Sequence, residues 1–400
     1  MTAALVHSDA TAATRRTGHP RGRRGAGPHV ARPGVPTRPV RSRRRRTVDR
    51  HTVPANGGGR VIVDLFAGPG GWSEGLAMLG LTDIGIEWDR DACLTRRAAG
   101  HLTVQADVAT YPPEAFAGVT GLIASPPRPD FSAAGSGPGR AGKSGWLVDV
   151  PRRWVETLRP EWVACEQVPG ALPIWREHAH AYWELGYSTW CGVLNSADYG
   201  VPQTRKRAIL LASRVRPVGP PAPTHAREPM ADLFGPGLEP WVTMADALGW
   251  HGTVDRRQQS DGTAVRLVPT DEPAPTLTGI AGAKSQWVMD RSNATAMRHR
   301  RGKGMNERHG ERPDRPVDAP AVTITSGAAR RLHVVAADGT TSAITIDEAT
   351  ILQSFRPGYP WQGSRTSTFT QVGNAVPPLL AGHVLSAVTG VPLRALAVAL

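Results

Sequence analysis

Val61-Ile62-Val63-Asp64-Leu65-Phe66-Ala67-Gly68-Pro69-Gly70-Gly71 decides the reading of this chain. A short, largely apolar strand breaks at a turn built from glycine and proline, and a helix-like stretch from Trp72 to Leu79 follows. Glycines let a ligand approach the backbone, and the helix start offers free N–H groups. Taken alone, such a turn is as readily structural as functional. Thr82 to Glu87 reads as a second strand, and it ends in an acid sixteen residues after Gly71. A carboxylate there suits ribose hydroxyls. Trp88, beside it, is placed to stack on an adenine. Asp107, expected at the end of a short third strand around Val104, is placed to accept from an adenine amine.

Outward from this unit the alternation continues. Asp89–Ala99 reads as a helix, Val119–Ala124 as a fourth strand and Trp146–Leu158 as a helix. Trp162–Cys165 is a fifth strand, Ala171–Leu185 a helix, Ser188–Leu194 a sixth strand and Arg207–Ala212 a seventh. Alternating elements of this length predict a mostly parallel sheet covered on both faces, with ligands at the carboxyl ends of its strands. From about Pro217 to Ile344 proline and glycine rise and helical periodicity fades. Two degenerate segments there, Asp271–Gly279 and Asp318–Gly327, predict a small irregular β-rich domain rather than a solenoid. Helix returns over Ile346–Phe355, and Gln371–Pro378 leads into a final apolar helix, Leu379–Val388.

Charge is concentrated at one end. Residues 1–50 carry 13 arginines, no lysine and two acids (Asp9, Asp49), a net of +11 against +13 for the whole chain. Residues 1–58 lack apolar periodicity and read as a disordered Arg-rich tail: a nucleic-acid contact, a solvated leader or the product of a start codon set too far upstream. Across the chain Arg outnumbers Lys 43 to 4, which fits a GC-rich coding sequence, so the arginine excess is partly codon usage. No apolar run reaches the length of a membrane span, and the N-terminal stretch shows no secretory h-region. Three cysteines, Cys93, Cys165 and Cys191, fit neither a disulfide framework nor a zinc site. A cytoplasmic, metal-free, monomeric protein is expected.

Seven blocks occur in order over roughly residues 60–390. They are Asp64–Gly71, Glu87-Trp88, Asp107, Ser125-Pro126-Pro127 with Phe131-Ser132, Glu166-Gln167-Val168, Gln203-Thr204-Arg205-Lys206-Arg207, and Gly373-Asn374-Ala375-Val376-Pro377. In this series the chain resembles the DNA (cytosine-5) methyltransferases. The resemblance implies an α/β, Rossmann-like S-adenosylmethionine-dependent methyltransferase fold with a smaller irregular β-rich target-recognition domain. It implies a catalytic and cofactor domain over 59–215, target recognition over 216–344 and a C-terminal return over 345–400. S-adenosylmethionine would lie against Phe66, Ala67, Gly68, Gly70, Gly71, Glu87, Trp88, Asp107, Val108, Pro127, Asn374 and Val376. Double-stranded DNA is the implied partner, with a cognate restriction nuclease a further one.

In that family a thiolate attacks C6 of a flipped-out cytosine, a carboxyl group contacts N3 and the exocyclic amine, and arginines hold the base and its phosphate. Glu166 matches the carboxyl group; Gln167 follows it where the family usually has Asn. Arg205 and Arg207 match the arginines, and as i and i+2 on a strand both are expected to face one cleft. The nucleophile position holds Arg128, whose guanidinium has no lone pair for attack. The resemblance implies transfer of methyl from S-adenosylmethionine to C5 of a flipped cytosine in duplex DNA. Arg128 leaves three other readings open: an inactive relative that binds cofactor and DNA, a cytosine N4 methyltransferase, whose Ser-Pro-Pro loop needs no thiol, and different base chemistry in the same cleft.

Overall fold

A computed structural model describes residues 61–127, 145–229, 237–249, 294–299, 314–325, 332–336 and 341–394. The tail, the segment 271–279, and Arg128, Phe131 and Ser132 lie outside the described residues.

All seven expected strands form one sheet: β1 (Ile62–Leu65), β2 (Ile84–Glu87), β3 (Leu102–Gln105), β4 (Gly121–Ala124), β5 (Trp162–Gln167), β6 (Ser188–Asn195) and β7 (Lys206–Ser213). Their order is β3-β2-β1-β4-β5-β7-β6. The first five pair in parallel, while β7 runs antiparallel between β5 and β6. The start of β7 therefore lies level with the end of β5, since Gln167 pairs with Ala208. The interleaved helices are α1 (Gly71–Met78), α2 (Arg90–Ala98), α3 (Val150–Leu158) and α4 (Leu172–Glu184).

Strand residues alternate between two cores. Val63, Leu65, Leu122, Ala124, Val163, Cys165 and Leu210 pack with Trp154 of α3 and Trp175 of α4. Ile62, Ile123, Ala164, Ile209 and Leu211 pack with Trp72 and Leu76 of α1 and with Leu380, Val384 and Leu385 of the helix Pro378–Thr389. That last helix lies close on α1, because a Cβ at Gly75 would collide with Ala381. The C-terminal helix, far away in sequence, thus completes the core beside the Gly-rich turn.

Sequence and structure part in three places. Asp107 does not end the third strand; β3 stops at Gln105, and Asp107 follows in an exposed turn with its Oδ1 accepting from Ala109 N at 2.9 Å. The stretch read as a lead-in, Gln371–Pro378, begins inside the last turn of a helix, Arg365–Asn374, N-capped by Ser364. The region of fading periodicity holds a short helix, Met244–Leu248, with a reciprocal Thr243–Asp246 capping box. The same region holds a four-stranded antiparallel sheet of Arg315–Pro316, Ala294–His299, Leu332–Ala336 and Thr341–Ala343. Its core joins Met297, Leu332 and Val334 to Ala321, Ile324, Leu352, Phe369 and Val372, and so runs across position 344.

Candidate functional site

The Gly-rich turn is held from three directions. Phe66 follows β1 at φ +58°, a conformation side chains rarely adopt, and Ala67 N then donates to Ile86 O of the neighbouring strand. Gly70 caps α1 at φ +111°, where only glycine is unstrained. At Gly71 a Cβ would collide with the carbonyl oxygen of Val376. The C-terminal return therefore touches the turn directly. Tyr359, from the same return, donates its hydroxyl to Pro69 O at 2.7 Å.

Glu87, buried at the tip of β2, gathers this region's amides. Its Oε2 accepts from Gly68 N at 2.8 Å; its Oε1 accepts from Trp88 N at 2.9 Å and Asp89 N at 2.8 Å. Two lone pairs on each oxygen give four acceptor sites, so capacity for a further hydroxyl remains. Burial pushes this carboxyl above its ordinary range, and the three amides act in the opposite sense. Trp88 next to it is 73% exposed, an indole face turned to solvent. Val108 is buried two residues after Ala106, whose N–H donates to Glu87 O at 3.0 Å.

Beneath the turn lies a buried charge network that the sequence did not single out. Arg96 of α2 donates to Asp83 at 2.9 Å, stands 3.7 Å from Asp64, and reaches Ala67 O at 3.4 Å. It crosses β2 at Gly85, where a Cβ would strike the guanidinium. Burial opposes its charge, but Asp83 and Asp64 outweigh that and hold it above the ordinary arginine range. Asp64 is fully buried, and among the described residues neither of its oxygens has a hydrogen-bond partner. Desolvation, reinforced by Asp83 and offset by Arg96, raises its pKa well above the usual carboxylate value.

The second half of the site lies at the ends of β4 and β5. Ser125 leaves β4 and accepts from Trp72 Nε1 of α1 at 2.8 Å. Gln167 donates its amide to Pro126 O at 2.8 Å and Pro127 O at 3.4 Å, while its own Oε1 accepts from Val168 N at 2.7 Å. The longer side chain thus spans from β5 to the Pro-Pro loop. Glu166 is expected on the opposite face from Gln167, and its Oε1 meets Arg207 Nε at 2.8 Å, with both side chains nearly buried. Arg207 also donates to Lys206 O at 2.7 Å.

Arg205 departs from the expected arrangement of two arginines in one cleft. It is 1% exposed, and its guanidinium donates to Ile324 O at 3.0 Å, Gly373 O at 3.1 Å and Ala375 O at 3.0 Å. It precedes β7 rather than lying within it, so strand alternation does not govern its direction. All three cysteines are free thiols. Cys93 is buried with its thiol on Glu87 O at 3.3 Å, and burial pushes it up to about 11. Cys165 is fully buried in the α3–α4 core, and burial raises it further. Cys191 lies in β6, also raised by burial. Among the described residues no cluster of metal-ligating side chains occurs, and no helix is long and apolar enough to cross a membrane.

Several known proteins share this plan. The chain is 28% identical over 349 residues to Type II methyltransferase M.AplI of Arthrospira platensis, covering 82% of this chain and 85% of that one. It is 26% identical over 368 residues to Type II methyltransferase M1.HphI of Haemophilus parahaemolyticus, with 82% and 86% covered. Among solved structures, a prophage-encoded protein from E. coli described as a DNA modification methyltransferase superposes with a TM-score of 0.54 at 21% identity, over 83% of this chain and 99% of that one. The Entamoeba histolytica methyltransferase EhMeth gives 0.53 at 10% identity, over 82% and 98%. The shared fold is the Rossmann-like methyltransferase fold, and none of these relatives is named for N4 chemistry. The model of the C-5 cytosine-specific DNA methylases matches residues 61–389, and the chain belongs to that family.

Proposed function

We propose that this chain binds S-adenosylmethionine and duplex DNA and holds a flipped cytosine against Glu166 and Arg207 without completing methyl transfer. The observation that carries the reading is the absence of a thiol where the family needs one. Arg128 occupies that position, and each of the three cysteines sits elsewhere, its thiol pushed up by burial. A guanidinium stays protonated at physiological pH and cannot form a bond to C6.

The residues present fit the cofactor. Gly68, at φ +55°, has open space where a side chain would stand, so a ligand can come close to the backbone there, Glu87 has acceptor capacity for a ribose hydroxyl, and Trp88 offers a free face to an adenine. Phe66, Gly68, Asp107, Val108, Pro127, Asn374 and Val376 complete the set by family position. When bound, S-adenosylmethionine supplies an activated methyl group. On the base side, the Glu166–Arg207 contact orients the carboxylate for N3 and the exocyclic amine, and Gln167 fixes the Pro-Pro loop through its two carbonyls. Residues 216–344 would read bases in the major groove, and the Arg-rich tail would add sequence-independent attraction to phosphates. Relatives named as Type II methyltransferases favour a restriction–modification setting with a cognate nuclease.

The test is incubation of the purified protein with labelled cofactor and DNA. We expect cofactor binding and no methyl incorporation, whereas Arg128→Cys yields 5-methylcytosine at a short specific site. Incorporation by the wild type overturns the inactive reading. A revertant that binds cofactor but stays silent moves the defect to Gln167 or to the recognition region.

A further inference from the structure

We propose that Arg205 is a positioning residue that, with Gln203 and Gln353, clamps the cofactor-side return to the small-sheet side, so that cofactor and DNA binding are coupled. This rests on the reading above, in which Val376 borders the cofactor and the small sheet lies on the DNA-reading side.

The clamp is built wholly from buried groups. Gln203 and Gln353 are fully buried and Arg205 nearly so. Gln203 accepts from Ile324 N at 3.0 Å and donates to Gln353 Oε1 at 2.6 Å and Leu352 O at 3.1 Å. Gln353 in turn donates to Ala375 O at 2.7 Å. Ala375 O therefore receives both Gln353 and Arg205, which uses its two lone pairs. One residue further on, the Val376 carbonyl rests on Gly71.

The other end is equally fixed. Thr204 N donates to Ala321 O at 2.8 Å, Ala321 N to Pro202 O at 2.9 Å, and Thr323 Oγ1 to Thr204 O at 2.8 Å. Ala321 and Ile324 share a core with Met297, Leu332 and Val334 of the small sheet. Residues 203–205 thus bridge that sheet and the turn, and they enter β7 two residues before the Glu166 partner Arg207.

Electrostatics explains why arginine stands at this point. A buried cation needs partners. Gly373 and Ala375 present carbonyls at the C-terminal end of the helix Arg365–Asn374, where the helix dipole favours positive charge. Only a forked group reaches these carbonyls and Ile324 O together. Lysine keeps the charge but presents one nitrogen.

The experiment measures S-adenosylhomocysteine affinity by calorimetry on the full chain, with and without a random-sequence duplex. Wild type is expected to bind, and duplex to tighten binding about fivefold or more. Arg205→Lys is expected to weaken S-adenosylhomocysteine roughly tenfold and to abolish the duplex effect. Gln353→Met, which disrupts the same clamp without removing charge, is expected to do the same and covers the case in which Arg205→Lys fails to fold. Arg207→Lys marks the contrasting behaviour, weaker duplex binding with S-adenosylhomocysteine affinity within about twofold of wild type. If Arg205→Lys behaves like Arg207→Lys, or if both clamp variants keep wild-type affinity and coupling, the clamp role is overturned. A wild type that binds no S-adenosylhomocysteine overturns the cofactor reading and the clamp with it.

Discussion

Asp64 shows how one residue can carry both a motif and a cost. It sits within β1, fully buried, beside a single arginine shared with Asp83. Its pKa is raised by desolvation first and by Asp83 second, against the pull of Arg96. The folded state thus holds this proton more tightly than the unfolded chain does. Stability from this group is greatest below the ordinary carboxylate range and declines as pH rises through the raised value. Asp64→Asn is expected to remove that decline, leave Arg96 paired with Asp83, and raise stability at pH 7 by about 1 kcal/mol or more. Denaturant melts at several pH values check this; an unchanged pH slope would show that Asp64 carries no such cost. Glu87 differs, since three amides partly offset the burial of its carboxylate.

At the scale of elements, the joint between α1 and the C-terminal return matters most. Gly71 begins α1 with the Val376 carbonyl against its Cα, and Gly75, one turn later, lies against Ala381. Gly71→Ala forces a methyl group against the Val376 backbone, which cannot move aside as a flexible side chain would. We expect about 2–3 kcal/mol of destabilisation, seen as a lower denaturation midpoint, together with loss of cofactor affinity. The local signals for these elements were clear. Val61–Phe66, the Gly-rich break and Glu87 give the period and the punctuation directly, so β1, α1 and β2 were legible. The helix Arg365–Asn374 was not, because Ser, Thr, Gln and Gly dominate its sequence. Its stability comes from Phe369 and Val372 buried in the small-sheet core and from the Ser364 cap.

For the whole molecule, charge is the feature least tied to the fold. Residues 1–50 hold +11 of the chain's +13. Deleting them is expected to weaken non-specific DNA binding and to reduce the slope of log affinity against log salt by about 0.9 for each phosphate that the tail had neutralised. An unchanged slope would mark the tail as a passenger. The order of residues alone established the alternation of strands and helices, the seven-block series and the identity of the groups available. Strand and helix periods and residue chemistry are local properties that each segment carries wherever it lies. It also showed that Arg128 cannot attack, because guanidinium chemistry is independent of context. Which groups meet was settled only by the folded arrangement. Arg205 and Arg207 are two residues apart, yet one is enclosed by carbonyls from Ile324, Gly373 and Ala375 and the other faces Glu166. Tyr359 reaches Pro69 across 290 positions. No local pattern encodes such contacts, because they arise where distant segments close over the same buried polar groups and satisfy them there.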